Sequence, residues 1–421
     1  MDSTPKSFRL QLAICGRINA GKSTLLNLIS GQDAAITSPE RGTTTDVVEK
    51  SMELRPLGAA VLLDTAGVDD LSALGEKRLH KTAKAVNRAD AVILVITPEK
   101  WDEAEKSILA MAKERRIPLL PVINFHNAPA SETFMQQVEN AAGVKPLAVC
   151  AADMSCRSGF LDQFTGALLK LLPESLTTPP FLNDLIPADS LVVLMTPVDS
   201  QAPKGRLIMP EVTAIRDALD GNAAVVVAKE DAFPAIYSKL NEKPALVVCD
   251  SQVVHRMIAA TAPDIPQTTF SILMSRLKGD IELFAAGCAA IEALEKGDKI
   301  LIAEACTHHA ADNDIGKVQI PKLLQKKYDG KLIIDFASGA DYPENLAEYA
   351  LVVHCGGCML NRRAMLNRLY SAEKAGVPVC NYGMCIAACR GVIRQVLSPF
   401  PDALKSYQDT LDRQIKKIQS K

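Results

Sequence analysis

The chain has 421 residues, 48% hydrophobic and 23% charged, a composition typical of folded globular protein that excludes a chain dominated by disorder. Its length predicts two to four domains. The formal net charge of −2 gives no general attraction to phosphate polymers or anionic lipids, so we expect binding to neither nucleic acid nor membrane.

The cellular setting is predicted from the N-terminus and the cysteines. Residues 1–7 contain no apolar signal core, and no later segment is long and apolar enough to span a bilayer, so we expect a cytoplasmic protein. The 11 cysteines are odd in number and unevenly spaced. This disfavours a disulfide framework and indicates buried or metal-binding thiols.

A phosphate-binding loop stands near the N-terminus, between a predicted strand over residues 9–15 and a helical run over residues 24–30. The candidate nucleotide-binding residues of this segment are Gly16, Arg17, Asn19, Ala20, Gly21, Lys22, Ser23 and Thr24. The glycines let backbone N–H groups surround phosphates at a helix N-terminus. Lys22 is expected to reach the β- and γ-phosphates and Ser23 to bind magnesium. The segment predicts a P-loop nucleotide-binding domain of α/β class with a doubly wound sheet.

Two switch-like segments follow the loop. Thr44 lies in the run Gly42-Thr43-Thr44-Thr45-Asp46, and Asp64 ends a buried strand and opens Asp64-Thr65-Ala66-Gly67. We expect Thr44 and Asp64 to complete the magnesium site with Ser23, and Gly67 to sense the γ-phosphate. Val68 occupies the position of the water-orienting glutamine of Ras-like proteins. Valine cannot orient water by hydrogen bonding, so hydrolysis should be slow, and no catalytic residue is assigned.

The segment expected to recognise the guanine base differs from the usual GTPase pattern. Asn124 is retained where a GTPase normally carries Asn-Lys-x-Asp, but Phe125 replaces the lysine and Asn127 replaces the carboxylate. An amide oxygen accepts hydrogen bonds from guanine less strongly than a carboxylate does, so we expect weaker guanine preference. Residues 149–152 are the candidate for the last base-contacting loop.

The segment from Gly16 to Asn27 resembles the GTPases of the tRNA-modification and ribosome-assembly group. The resemblance implies GTP as the nucleotide. It also implies a potassium ion bound by Asn19 beside the phosphates, and therefore potassium-stimulated turnover.

Residues 1–172 are predicted to form the first domain, and the proline-rich residues 173–183 a linker. Residues 184–266 alternate strand and helix, which predicts a small parallel α/β unit of three strands. This unit has no cluster of catalytic residues. It would suit self-association through a sheet edge or a helix face.

The third region, residues 267–421, carries a thiol pattern. One predicted strand delivers Cys306 at its C-terminal end, and a second delivers His354 and Cys355. Cys358 is expected to open a helix over residues 359–375, whose N-terminus would stabilise the thiolates. Because parallel strands place sites at their carboxyl ends, we expect these thiols to converge on one pocket.

Spacing alone does not decide between two metal centres. Zinc would take Cys306, Cys355, Cys358 and one histidine, whereas a 4Fe-4S cluster can use the same three thiolates and leave one position open. The candidates for the fourth ligand are His308 and His354. From the ligand set, the two chemistries are equally favoured.

Residues 298–309, 314–321 and 352–363 resemble the HydF family, the scaffold GTPase of iron-iron (FeFe) hydrogenase maturation. The resemblance implies three α/β domains: a P-loop GTPase domain, a small parallel dimerisation domain and an iron-sulfur cluster domain. It implies a homodimer that binds a 4Fe-4S cluster through Cys306, Cys355 and Cys358 and carries the di-iron precursor of the H-cluster. The implied partners are two radical-SAM maturases and apo-hydrogenase.

Three further thiols, Cys380, Cys385 and Cys389, are not expected from the family pattern. Cys385 and Cys389 would share one face of a helix and could be extra ligands, but their apolar neighbours favour packing roles.

The alternative function is a ribosome- or RNA-associated GTPase with a zinc-stabilised C-terminal domain. Such a protein should carry a basic patch beside the third domain, and the lysines of residues 322–327 form only a short solvated helical face.

Overall fold

The computed structural model describes residues 5–31, 48–65, 82–172, 179–197, 207–305, 314–339 and 342–419. The chain divides into two compact units, Met1–Thr177 and Thr178–Lys421. Within the described ranges, no helix combines the length and the apolar character needed to cross a membrane.

The first unit is built on a six-stranded sheet. Its strands, in chain order, are β1 Leu10–Gly16, β2 Val48–Leu54, β3 Gly58–Asp64, β4 Ala91–Ile96, β5 Leu119–Asn124 and β6 Leu147–Val149. They are arranged β2-β3-β1-β4-β5-β6, and only the β2–β3 pair is antiparallel. β4 is buried along its whole length, as its continuous apolar sequence requires for a parallel strand covered on both faces.

Helices cover both faces of this sheet. They are α1 Lys22–Ser30, α2 over residues 82–88, α3 Glu103–Glu114, α4 Glu132–Ala142 and α5 Arg157–Leu171. One core joins Leu25 of α1 and Phe164 of α5 to one face. The other joins Ile108 of α3 and Phe134 of α4 to the opposite face. The predicted doubly wound α/β domain is confirmed.

In the part of the second unit that the structure describes, two four-stranded parallel sheets are present. The first has the order β10-β9-β7-β8, formed by β7 Leu191–Thr196, β8 Ala224–Lys229, β9 Leu246–Cys249 and β10 Gln267–Thr269. Its helices are α6 Met209–Asp220, α7 Phe233–Tyr237 and α8 Val254–Ala260. Residues 184–266 contain the three predicted strands, but the sheet has a fourth, β10, just beyond the predicted end of this region. β10 is a three-residue Gln-Thr-Thr strand without the apolar run that marks a strand in a sequence.

The second sheet has the order β12-β11-β13-β14. It consists of β11 Lys299–Glu304, β12 Ile333–Ser338, β13 Leu351–His354 and β14 Val379–Asn381. The helices around it are α9 Phe270–Lys278, α10 Ile281–Ala289, α11 Ile320–Lys327, α12 Arg362–Lys374, α13 Tyr382–Cys389, α14 Ile393–Val396 and α15 Pro401–Gln419. β11 lies between β12 and β13, so the two strands that precede the thiol motifs are direct neighbours.

Candidate functional site

The phosphate-binding loop connects β1 to α1 in the predicted strand–loop–helix setting. Asn19 and Gly21 have positive φ angles of 61° and 86°. A Cβ atom at Gly21 would lie 2.1 Å from Nδ2 of Asn124, so this position requires glycine. The Lys22 ammonium donates to the carbonyl oxygens of Gly16 at 3.3 Å and Arg17 at 2.8 Å, so the lysine side chain lies along its own loop.

The predicted magnesium ligands Ser23 and Asp64 are in contact. The Ser23 hydroxyl donates to Oδ2 of Asp64 at 3.1 Å, because the parallel pairing of β1 with β3 brings Asp64 level with Ile14 just before the loop. Oδ1 of Asp64 is buried and accepts no hydrogen bond within the described part of the chain, and burial raises the pKa of the carboxyl group. A hydroxyl beside an unsatisfied carboxylate oxygen is a suitable pair of donors for magnesium. Thr44 and Gly67 lie outside the described residues.

Asn124 connects the base-reading end to the phosphate loop. Its Nδ2 donates to the Ala20 carbonyl at 3.0 Å, and its Oδ1 accepts from the Ala151 N–H at 3.0 Å. Asn124 is 2% exposed, whereas Asn127 is exposed. The Asn124 amide thus ties the loop after β6 to the loop after β1.

Arg17 makes contacts that its motif position did not reveal. Its Nε and one terminal nitrogen donate to the two Glu105 oxygens at 2.8 and 2.6 Å, and the same terminal nitrogen donates to Asp102 at 2.6 Å. Hydrogen bonding to Glu105, then to Asp102, raises the pKa of the guanidinium. The two acids also form the capping box of α3. An Asp-x-x-Glu pattern indicates a helix start, but no sequence signal pairs it with an arginine 88 residues away.

The thiol motifs meet at the carboxyl ends of β11 and β13. These strands are parallel, with Ala303 opposite His354, and the Cys355 N–H donates to the Ala303 carbonyl at 2.9 Å. The Ala305 N–H in turn lies 3.2 Å from Sγ of Cys355. Cys306 follows Ala305 in the sequence but lies outside the described residues.

Cys358 is not at a helix N-terminus. α12 begins at Arg362, because the Asn361 side chain accepts from the Ala364 N–H at 3.1 Å and caps the helix there. The prediction that Cys358 opens the helix was therefore wrong. Gly357 has φ of 62° and turns the chain between the two cysteines. Cys358 is exposed as a residue, yet neighbouring protein groups desolvate its thiol enough to raise the pKa.

His354 is fully buried. Its Nδ1 lies 2.7 Å from the Cys355 carbonyl oxygen, which requires Nδ1 to carry the proton. Nε2 is buried without a hydrogen-bond partner among the residues described. The ring meets Tyr342 edge-on, with centroids 6.4 Å apart, and burial lowers the pKa of the imidazole to about 3. His308, the other candidate ligand, lies outside the described residues.

The described ranges by themselves contain no group of three or more Cys, His, Asp or Glu side chains that could hold a metal ion. The predicted thiolate set includes Cys306, so the structure describes only Cys355 and Cys358 of it.

Comparison with known proteins found curated relatives of the GTPase region. The tRNA modification GTPase MnmE of Synechococcus sp. (strain JA-3-3Ab) is 43% identical over 120 residues, which are 27% of this chain and 25% of the relative. GTPase Der of Synechococcus sp. (strain RCC307) is 35% identical over 136 residues, 29% of this chain and 30% of the relative. This chain therefore spans less than a third of the length of either relative.

Solved structures give weaker likenesses. Aquifex aeolicus Era matches with a TM-score of 0.33 and 18% identity over 52% of this chain and 92% of that chain. The G domain of T. maritima FeoB matches with a TM-score of 0.30 and 16% identity over 39% of this chain and 99% of that chain.

Three family models match the chain in succession. A 50S ribosome-binding GTPase model matches residues 11–125, a hydrogen maturase F dimerization domain matches residues 181–279, and a hydrogen maturase F tetramerization domain matches residues 282–399. The last two together cover more than half of the sequence. The chain therefore belongs to the hydrogen maturase F (HydF) family of hydrogenase-maturation GTPases.

Proposed function

We propose that this protein is a scaffold and carrier GTPase of FeFe-hydrogenase maturation. In this proposal it binds GTP, holds a 4Fe-4S cluster, and carries the di-iron precursor of the H-cluster to apo-hydrogenase. Its other partners are two radical-SAM maturases. Residues 1–172 serve as the GTPase domain, residues 184–266 as the dimerisation domain and residues 267–421 as the cluster domain.

The observation that carries the proposal is the 3.2 Å contact between the Ala305 N–H and Sγ of Cys355. Cys306 is the next residue in the sequence after Ala305, and we propose it as the ligand that joins Cys355. An N–H donated to sulfur also stabilises a thiolate ligand. Cys306, Cys355 and Cys358 would then hold the cluster, leaving one iron for a fourth ligand.

His354 fits the remaining position. A metal-binding histidine usually donates one ring N–H to a carbonyl and presents the lone pair of its other nitrogen. The Nδ1 contact with Cys355 and the buried, unpartnered Nε2 match that arrangement. An unsatisfied buried acceptor is unfavourable by about 1–3 kcal/mol, which a metal bond would offset. His308 is the competing candidate.

In this proposal the GTPase domain switches between states according to the bound nucleotide. Lys22 would exchange its contacts with the Gly16 and Arg17 carbonyls for phosphate oxygens, while Ser23, Thr44 and Asp64 hold magnesium. Asn19 would bind potassium, and Gly67 would respond to the γ-phosphate. Magnesium would supply neutralisation of phosphate charge. Hydrolysis is expected to be slow and potassium-stimulated.

Self-association is proposed to use the β8 edge of the first sheet in the second unit. β8 ends the strand order β10-β9-β7-β8, and its Val227 is 41% exposed. The neighbouring α6 exposes Val212 and Leu219 to 51% and 58%. An edge strand beside exposed apolar side chains can pair with a second copy, which agrees with the dimerization domain matched over these residues.

A maturation assay tests the function. Extracts that contain apo-hydrogenase and the two maturases but lack this protein should produce active hydrogenase only when wild-type protein is added. Lys22→Ala, checked for folding and cluster content, should support at least tenfold less activation (about 1.4 kcal/mol). Activation by Lys22→Ala equal to wild type would remove GTP from the mechanism. Failure of the wild-type protein in this assay would overturn the carrier role itself.

A further inference from the structure

One face of α9 lies against residues 355–358, which we call the cysteine loop. A Cβ atom at Gly356 would lie 3.9 Å from Cβ of Met274 and 3.9 Å from Oγ of Ser271, so these two side chains border the loop. Ser271, Met274 and Lys278 follow one another at intervals of three and four residues along α9, which places them on one face of the helix. Lys278 therefore belongs to the face that borders the cysteine loop.

The C-terminal end of α9 is bonded to the start of α12. One terminal nitrogen of Arg362 donates to three carbonyl oxygens of this helix end, those of Arg276 at 3.0 Å, Leu277 at 3.0 Å and Gly279 at 2.8 Å. The last carbonyls of a helix have no partner inside the helix, so the guanidinium satisfies them. The backbone on both sides of Lys278 is thereby tied to a residue four positions beyond the cysteine loop.

The side chain of Met365 lies between the same two segments. A Cβ atom at Gly357 would lie 2.3 Å from Cε of Met365, and one at Gly279 would lie 3.3 Å from its Cγ. Gly279 directly follows Lys278 in the sequence, and Gly357 directly precedes Cys358. A single methionine side chain therefore spans from the backbone beside the lysine to the backbone beside the predicted ligand.

Lys278 is buried at this junction, with 2% of its surface exposed. Lysine is almost never fully buried unless its charge is paired, so its place beside a predicted thiolate ligand is informative. Burial raises the pKa of the Cys358 thiol, whereas a backbone hydrogen bond from Met359 and the charge of Lys278 act in the opposite direction. This effect of Lys278 agrees with the contacts that place the two residues close together.

We propose that Lys278 supplies positive charge to the Cys358 side of the iron-sulfur cluster and thereby raises the reduction potential of the cluster. The inference rests on the cluster proposed above. A 4Fe-4S cluster held by three thiolates is an anion, and its reduction by one electron makes it more negative. A buried cation stabilises the reduced state more than the oxidised state, because water screens the attraction weakly there.

An EPR-monitored redox titration of the full-length, anaerobically reconstituted protein tests this role. Lys278→Met removes the charge but keeps an unbranched side chain of similar length. At the wild-type midpoint potential, its ratio of reduced to oxidised cluster should be at least tenfold lower, which corresponds to a midpoint lower by at least about 59 mV for a one-electron couple. Lys278→Arg keeps the charge, so its midpoint should stay closer to that of wild type than to that of Lys278→Met.

Lys299→Met is the matched control. Lys299 begins β11, which ends at Glu304 next to the thiol motifs, and residues along a strand are spaced by about 3.3 Å. Its side chain is 39% exposed. The substitution removes the same charge at the far end of the same strand, where distance and screening by salt should leave the midpoint unchanged. Equal shifts for the two methionine variants, or an unshifted midpoint in cluster-loaded Lys278→Met, would overturn the proposal.

Folding and metal content separate the other outcomes. If Lys278→Met does not fold, Lys278→Gln takes its place with the same expected shift. A Lys278→Arg protein that fails to fold or to take up iron would overturn the proposal, because the position would then depend on the shape of lysine and not on its charge. A wild-type protein that reconstitutes no cluster would overturn the proposed function and this inference with it. A loaded wild type with an unshifted Lys278→Met midpoint would overturn this inference alone.

Discussion

Asn124 is the residue that joins the two ends of the nucleotide site, through the Ala20 carbonyl and the Ala151 N–H. Asn124→Ala removes the hydrogen-bond partner of the Ala20 carbonyl and of the Ala151 N–H, and both residues are buried. We expect the free energy of unfolding to fall by about 1–3 kcal/mol and binding of a fluorescent GDP analogue to weaken at least tenfold, a loss of about 1.4 kcal/mol. Urea unfolding and fluorescence titration measure the two effects.

Asn127→Ala is the matched control, because Asn127 belongs to the same segment but is exposed. Its free energy of unfolding should stay within about 0.5 kcal/mol of wild type. Equal destabilisation by the two substitutions would show that the Asn124 hydrogen bonds to Ala20 and Ala151 are not the cause.

The Arg17–Glu105 pair fixes the phosphate loop to α3. Glu105 has no exposed side-chain surface, and Arg17 exposes 13% of its side chain. Removing one member of such a pair leaves a buried charge, so Arg17→Ala should lower the free energy of unfolding by about 3–5 kcal/mol. Thermal and urea unfolding of the full chain measure this loss.

The comparison for Arg17 is Lys106→Ala, which breaks the exposed Lys106–Glu103 pair at 3.0 Å. Exposed pairs contribute about 0–1 kcal/mol. A loss for Arg17→Ala no larger than that for Lys106→Ala would refute the anchoring role.

At the scale of single residues, the sequence identified the candidate site residues but not the residues that they contact. The roles predicted for Ser23 and Asp64 come from motifs at strand ends, and the structure places the two side chains in contact. The buried Nε2 of His354 and the ion pairs of Arg17 depend on residues distant in sequence, which a motif cannot locate.

Among the elements, α10 packs very closely on its neighbouring strand. A Cβ at Gly287 would lie 2.1 Å from the Val379 carbonyl oxygen, and 2.6 Å from the carbonyl carbon. Backbone atoms cannot rotate away, so Gly287→Ala should lower the free energy of unfolding by about 1–3 kcal/mol or more. Chemical denaturation with circular dichroism detection measures it.

Gly166 supplies the opposite case inside α5, since a Cβ added there would have no described atom within 4 Å. Gly166→Ala should stabilise the protein by up to about 1 kcal/mol, because alanine favours helix. Similar changes of the free energy of unfolding, in the same direction for both substitutions, would contradict the close packing of α10 on β14 as the cause.

Some secondary-structure elements can be predicted from sequence patterns, and others cannot. Long apolar strands such as β4 and β11 are evident from their residues, because buried parallel strands need continuous apolar runs. β10 has three polar residues, and only its pairing with β9 makes it a strand. The start of α12 is set by the Asn361 cap, three residues after the start expected from the sequence.

At the scale of the whole molecule, the family's dimerization and tetramerization domains indicate an oligomer. If β8 pairs with a second copy, Val227→Glu should place charges at the interface and lower the molar mass measured by light scattering toward that of a monomer. Leu169→Glu, at a residue 50% exposed in the first unit, should leave the mass unchanged. An unchanged mass for Val227→Glu would exclude this edge as the dimer contact.

The central claim is that Cys306, Cys355 and Cys358 hold an iron-sulfur cluster on a GTPase scaffold. The most direct measurement is iron, sulfide and zinc analysis of anaerobically purified protein, with EPR of the reduced state, on wild type and Cys355→Ser. We expect iron and sulfide in the ratio of a 4Fe-4S cluster with its EPR signal in wild type. Both should be lost in a folded Cys355→Ser protein. Stoichiometric zinc in wild type, with no cluster signal after reconstitution, would contradict the claim.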